Sequence, residues 1–213
     1  FSRALDPDLT TMVNNEFRVA GAKSGHDPWF SLSPSDVPWA RDFFAPSETL
    51  GPEALRRALM TFLMDFTHRP NPAVAGRTQW TAREREGAAL FQDKCESCHE
   101  ARLVADEPTT RLPFERWEGF VMSREGPIVW AHAEYEKTGV EPYVNEKGAR
   151  VVSLRRLYKK HPYFTNGSAK DLRDVLERAR FAGGRFFHDG APQDGKALNA
   201  EEQAALAAFL DLL

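Results

Sequence analysis

The residues best suited to chemistry sit together in one short run. Cys95 and Cys98 are the chain's two cysteines, separated by two residues, and His99 follows at once. Two thiols at this spacing match the two vinyl groups of a porphyrin, and a histidine beside the second thiol is held beneath the iron. Cys-x-x-Cys-His is the attachment signature of a c-type haem, and His99 is expected as the proximal iron ligand. Two rival chemistries also use paired thiols. A zinc ribbon needs four ligands, usually with a second cysteine pair, and this chain has none. A thioredoxin-type dithiol follows a strand in an α/β frame, and no strand pattern precedes Cys95. Two cysteines also rule out a disulfide scaffold as the source of stability. The expectation is one covalent haem c on Cys95, Cys98 and His99. Such proteins mature in the periplasm or elsewhere outside the cytoplasm.

The motif needs elements to hold it. Thr81-Ala-Arg-Glu84 is a capping-box pattern, so a helix is expected from Thr81 into the cysteines. Gly87 and Phe91 fall on one face of that helix. A mid-helix glycine costs about 1 kcal/mol, which favours a packing role, namely close approach of a second helix. The last helix, about 200–212, is the expected partner, with Asn199 and Glu202 as its capping box and Leu206, Phe209 and Leu210 on its face. A third helix is expected over about 169–180, with Ser168 as N-cap and Gly183-Gly184 ending it. Residues 100–150 read as loop, broken by proline and glycine, with short helices around 114–122 and 131–137. Upstream, Leu55, Leu59, Phe62, Leu63 and Phe66 mark a helix over 52–67, begun by Pro52 and stopped by Pro70 and Pro72. Residues 68–80 read as a linker. Residues 1–46 mix prolines with Trp29, Phe30, Trp39, Phe43 and Phe44, as an ordered wrap would. No repeat and no strand pattern is visible. The expected fold is mainly α: a helical domain over 81–213 with long loops, preceded by an N-terminal extension over 1–80.

Composition narrows the partners. The net charge is -3, and acids and bases are interspersed, so no basic stripe suggests nucleic-acid binding. No apolar run approaches the roughly 18 residues of a membrane span. Five Trp and fifteen Phe supply a large apolar surface to bury, which argues against disorder. The chain opens Phe1-Ser2-Arg3, as expected of a mature chain after removal of its targeting segment, or of a fragment of a longer one.

The helix carrying Gly87 and Phe91 resembles the N-terminal helix of class I cytochromes c. Further on, Ser153-Leu-Arg-Arg, then Pro162-Tyr-Phe, then Gly167-Ser168, with Leu172 and Val175, resemble a segment of the bacterial di-haem cytochrome c peroxidase and MauG-like superfamily. The resemblance covers about 81–213 and the order of motifs. It implies a cytochrome c-like domain akin to that family's C-terminal, electron-transfer half, with Tyr163 and Phe164 walling the haem pocket. The departures are as informative. The family carries two haems, and this chain has one attachment site. The family's His-Asp is Thr165-Asn166 here. Its distal ligand, Met or Tyr, falls at Ala179, which cannot bind iron.

His188, on a glycine-flanked segment just past Ala179, is the first candidate for the missing ligand. Met122, the only methionine after the motif, is the second, and five-coordinate iron the third. His132 and His161 are weaker candidates; His26 and His68 precede the domain. Arg155 and Arg156 suit haem propionates, since arginine forks match carboxylates. Trp117 and Trp130 read as core, with an electron path as the other role. The function these features favour is electron transfer with a redox partner protein or another haem-bearing domain, as part of a larger multihaem protein or complex. The alternative is a haem enzyme of peroxidase or MauG-like type, whose open distal site would use His188 or Glu177 for acid–base work.

Overall fold

The computed structural model describes residues 51–65, 71–103, 110–123, 128–132, 134–140 and 146–213. The expected wrap over 1–46, together with His26 and His68, lies outside them. The chain divides into two compact units, one up to His68 and one from Arg69 to Leu213. In the first, helix α1 spans Pro52–Asp65. Leu59 and Leu63 are half-buried on it, whereas Phe62, expected on the same face, is 59% exposed.

The second unit is built on two helices, α2 (Ala82–Lys94) and α5 (Ala200–Leu210). Both begin as their sequences dictate. Thr81 Oγ1 accepts from Glu84 N, and Glu84 Oε2 accepts from Thr81 N. Asn199 and Glu202 exchange the same pair of bonds. The helices cross where Gly87 meets Ala205: a Cβ on Gly87 would lie 1.9 Å from the Ala205 carbonyl oxygen. The expected close crossing is therefore present, and only glycine allows it. Beside it Phe91 packs on Phe209, ring centres 5.3 Å apart, and on Trp130 at 5.4 Å. Trp117, from helix α3 (Phe114–Met122), closes the cluster at 4.8 Å from Trp130. Phe91, Trp117, Trp130 and Phe209 are all buried. Such aromatic pairs add about 0.5–1.5 kcal/mol each beyond the area they bury.

The segment 71–80, read from sequence as a linker, is tied to this unit. Asn71 Nδ2 donates to Asp211 O at 2.6 Å, and Trp80 packs edge-on against Phe209. Arg77 pairs with Glu84, and Arg85 with Glu118.

The mainly helical expectation holds in part. Five α-helices are accompanied, among the described residues, by two small antiparallel sheets that no sequence pattern announces. Strands β1 (Tyr135–Glu136) and β2 (Ala149–Arg150) pair, so the helix expected at 131–137 is absent. The helix expected over 169–180 is shorter, α4 at Leu172–Arg178, and its N-cap is Asp171 rather than Ser168. Ala179 leaves the helical region at ψ 138 and leads straight into β3 (Arg180–Ala182). Gly183 and Gly184 therefore do not end a helix. Both have positive φ, and they turn β3 into β4 (Arg185–Phe187), as a two-residue hairpin with right-handed strand twist requires. Strand β5 (Lys196–Ala197) pairs with the other edge of β3. No described helix is long and apolar enough to cross a membrane.

Candidate functional site

Helix α2 ends at Lys94, and Cys95 to His99 follow as a tight turn held by Cys98 N and His99 N, both donating to Cys95 O. Both cysteines are free thiols. Burial pushes the Cys95 thiol up to about 12 and also raises Cys98. A redox-active or zinc-binding pair needs the opposite, a thiol with a lowered pKa.

His99 is buried. Its Nδ1 lies 3.4 Å from the carbonyl oxygen of Trp130. Loss of water around the ring pushes its pKa down to about 3; the nearby His188 adds to this, and the Trp130 and Val152 carbonyls oppose it. The imidazole is thus neutral, the form that ligates metals. A backbone acceptor on one ring nitrogen is also the usual way a ligating histidine is oriented. Sequence reading missed this role of Trp130. It is played by a backbone oxygen, set by a left-handed φ of 54° at a fully packed tryptophan, and a backbone oxygen has no residue signature.

Facing His99 is His188, the ring centres 6.0 Å apart and the planes at 67°. The hairpin brings it there. Strand pairing sets Arg180 opposite Phe187, and Ala179 and His188 are the residues that flank this last pair, one before β3 and one after β4. Ala179, with its methyl group, has nothing to offer a metal. The rings of Phe164 and Phe186 lie 5.9 Å from it, and desolvation lowers its pKa as well. Its Nδ1 is buried and has no hydrogen-bond partner.

The other candidates are elsewhere. Met122 is packed in the hydrophobic core. His132 accepts from Glu134 N and faces Glu100 at 3.7 Å. His161 and Glu177 are exposed. Phe164 borders His188, whereas Tyr163 packs against the core and donates its hydroxyl to Leu157 O at 3.0 Å. Arg155 and Arg156 follow Leu154, whose N–H donates to the same Trp130 carbonyl that faces His99. Three donors of this region are buried without partners: Arg150 Nε, Arg156 Nε and Tyr158 Oη. Among the described residues no three metal-ligating side chains converge.

No protein-family model matches the chain, and no curated protein or solved structure is similar to it.

Proposed function

We propose that this chain carries one covalent haem c and works as an electron-transfer domain, in which His99 and His188 would hold the iron. The observation that carries the reading is the pairing of the Cys95–His99 motif with a second histidine ring 6.0 Å away. Two imidazoles bound to one metal at about 2 Å each have ring centres about 6 Å apart. The unpaired Nδ1 of His188 and the neutral His99 are of the right kind for such a site. The unpartnered donors of Arg150, Arg156 and Tyr158 need acceptors, and the two propionate carboxylates of a haem are acceptors only.

When bound, the haem supplies a one-electron iron couple. The protein's part is to attach, orient and tune. Cys95 and Cys98, free thiols here, would hold the haem through thioether links. Trp130 O, 3.4 Å from Nδ1, orients the His99 ring. With His188 as a second protein ligand, peroxide would have no free place to bind, which would favour transfer over catalysis. On this reading the chain matures outside the cytoplasm and belongs to a larger redox assembly.

The test is the ferric absorption and EPR spectrum of protein expressed with c-type haem attachment machinery. A low-spin, six-coordinate signal is expected, converting to high spin in His188→Ala. Cys95→Ala/Cys98→Ala is expected to lose the covalent haem on denaturation. A high-spin wild-type spectrum that responds to low cyanide would overturn the reading in favour of a peroxidase-like enzyme.

A further inference from the structure

The modest overall charge hides a local excess. Residues 147–170 contain seven Lys and Arg and no Asp or Glu. Seven positive charges against a net charge of -3 leave -10 on the remainder of the chain. Four of the seven, Arg155, Arg156, Lys159 and Lys160, fall on one tight turn around the 3-10 helix Leu157–Lys159. Arg156 takes a left-handed φ of 61°, which folds the chain back on itself there. Lys160 Nζ consequently reaches Ser153 O at 2.5 Å. No carboxylate among the described residues pairs with any of the four. Like charges gathered on one turn cost stability within the chain; even with haem propionates answering Arg156, the exposed Lys159 and Lys160 point to something outside it.

The turn is also close to the candidate iron ligand. His99 Nδ1 and Leu154 N meet on the one carbonyl of Trp130, and Leu154 is the residue before Arg155. Arg155 and Arg156 are half-buried, Lys159 and Lys160 are exposed, and Val152 presents an apolar side chain 49% exposed at the start of the same segment. A cationic rim around an exposed apolar residue, next to the ligand, is a place where a partner gains both attraction and a short path to the iron.

We infer that the turn 155–160 is the docking face for an acidic protein that exchanges single electrons with this chain; the inference rests on the haem reading above. In each exchange one electron passes between the iron and the partner's own one-electron centre, and no bond is made or broken. A compact acidic patch meets only the turn. An extended polyanion, nucleic acid or an anionic membrane, would also meet the repulsion of the -10 remainder.

The experiment uses the reduced, haem-loaded protein and two small oxidants of opposite charge, ferricyanide and the tris(phenanthroline)cobalt(III) cation, in stopped flow at several salt concentrations. The net charge alone predicts that salt speeds ferricyanide oxidation. The docking face predicts that salt slows it, because the attraction to the turn is screened within about 10 Å at 0.1 M. Lys159→Glu is expected to lower the low-salt ferricyanide rate several-fold. Lys159→Glu/Lys160→Glu is expected to lower it about tenfold and to reverse the salt trend, with the cobalt complex changing oppositely and the midpoint potential unmoved. A ferricyanide rate that rises with salt in the wild type, or is indifferent to both variants, overturns the inference. If the protein takes up no haem, the haem reading itself fails and the surface is still testable: binding to a short acidic peptide, hexaglutamate, at low salt, lost in the double variant, supports the face. No such binding, or equally tight binding to duplex DNA or phosphatidylglycerol vesicles, overturns it.

Discussion

His188 and His99 illustrate what single residues contribute. His188 supplies a side chain that Ala179 lacks, from the residue just past β4. On the proposed reading, His188→Met keeps a six-coordinate, low-spin iron and raises the midpoint potential, because thioether ligation favours the ferrous state; a spectroelectrochemical titration against wild type checks the sign. His99 makes a second prediction, for the haem-free protein. Its folded pKa, about 3, lies below the ordinary 6.5. The neutral ring is common to folded and unfolded states above pH 6.5, so its contribution is intact there. As the pH falls from 6.5 towards 3, only the unfolded chain takes up the proton, and stability is lost. Urea midpoints of haem-free protein should fall over that range, and less steeply in His99→Gln. Cys95, Cys98 and His99 were read as a haem site because their spacing matches that chemistry, and on the proposed reading that is their role. His188 was legible only as one candidate among several, since the strand register that aims it is not written in residue types.

Elements show the same division. The capping boxes at Thr81 and Asn199 were readable because each is a local exchange of two hydrogen bonds, complete within four residues. Strands of two or three residues are too short to show alternation, so the hairpin was invisible, and its two glycines looked like a helix stop. The α2–α5 crossing was signalled by Gly87. Gly87→Ala gains helix propensity worth about 1 kcal/mol, but its methyl would lie 1.9 Å from Ala205 O and 2.9 Å from Phe209 Cβ. Forcing the helices apart costs typically 1–3 kcal/mol or more, and the backbone atom at Ala205 cannot swing away, so the loss wins. The expected result is a Tm lowered by several degrees, at about 2–4 °C per kcal/mol for a chain of this size, read by thermal circular dichroism. Phe91→Ala removes the ring shared by Trp117, Trp130 and Phe209 and is expected to cost about 3–5 kcal/mol in denaturant titration.

The whole molecule separates its tasks. Cys95, Cys98, His99, Trp130, Arg155, Phe164 and His188 all belong to the unit that runs from Arg69 to Leu213. That unit also contains both helices of the crossing and the aromatic cluster. Residues 69–213 expressed alone are therefore expected to fold cooperatively and to show the ferric spectrum of the full chain. A fragment that stays unfolded by circular dichroism would show that the first unit is required. The overall balance of charge was readable from composition. The run of cations at 155–160 is also readable in the sequence; its folding into one patch was not, because it depends on Arg156 adopting a left-handed conformation.

The hairpin has a consequence for how such a site can change over time. Pairing between strands moves only in whole residues, and each step exchanges the two faces. Slipped by one, β4 would turn the imidazole away. The fifth and sixth ligands of the proposed centre are thus inherited differently. His99 travels with the cysteines as a single word, while His188 depends on an address, kept by the positive-φ pair Gly183-Gly184. A side chain at either glycine would strain that turn, so two residues with nothing to give a metal help decide which atom reaches it.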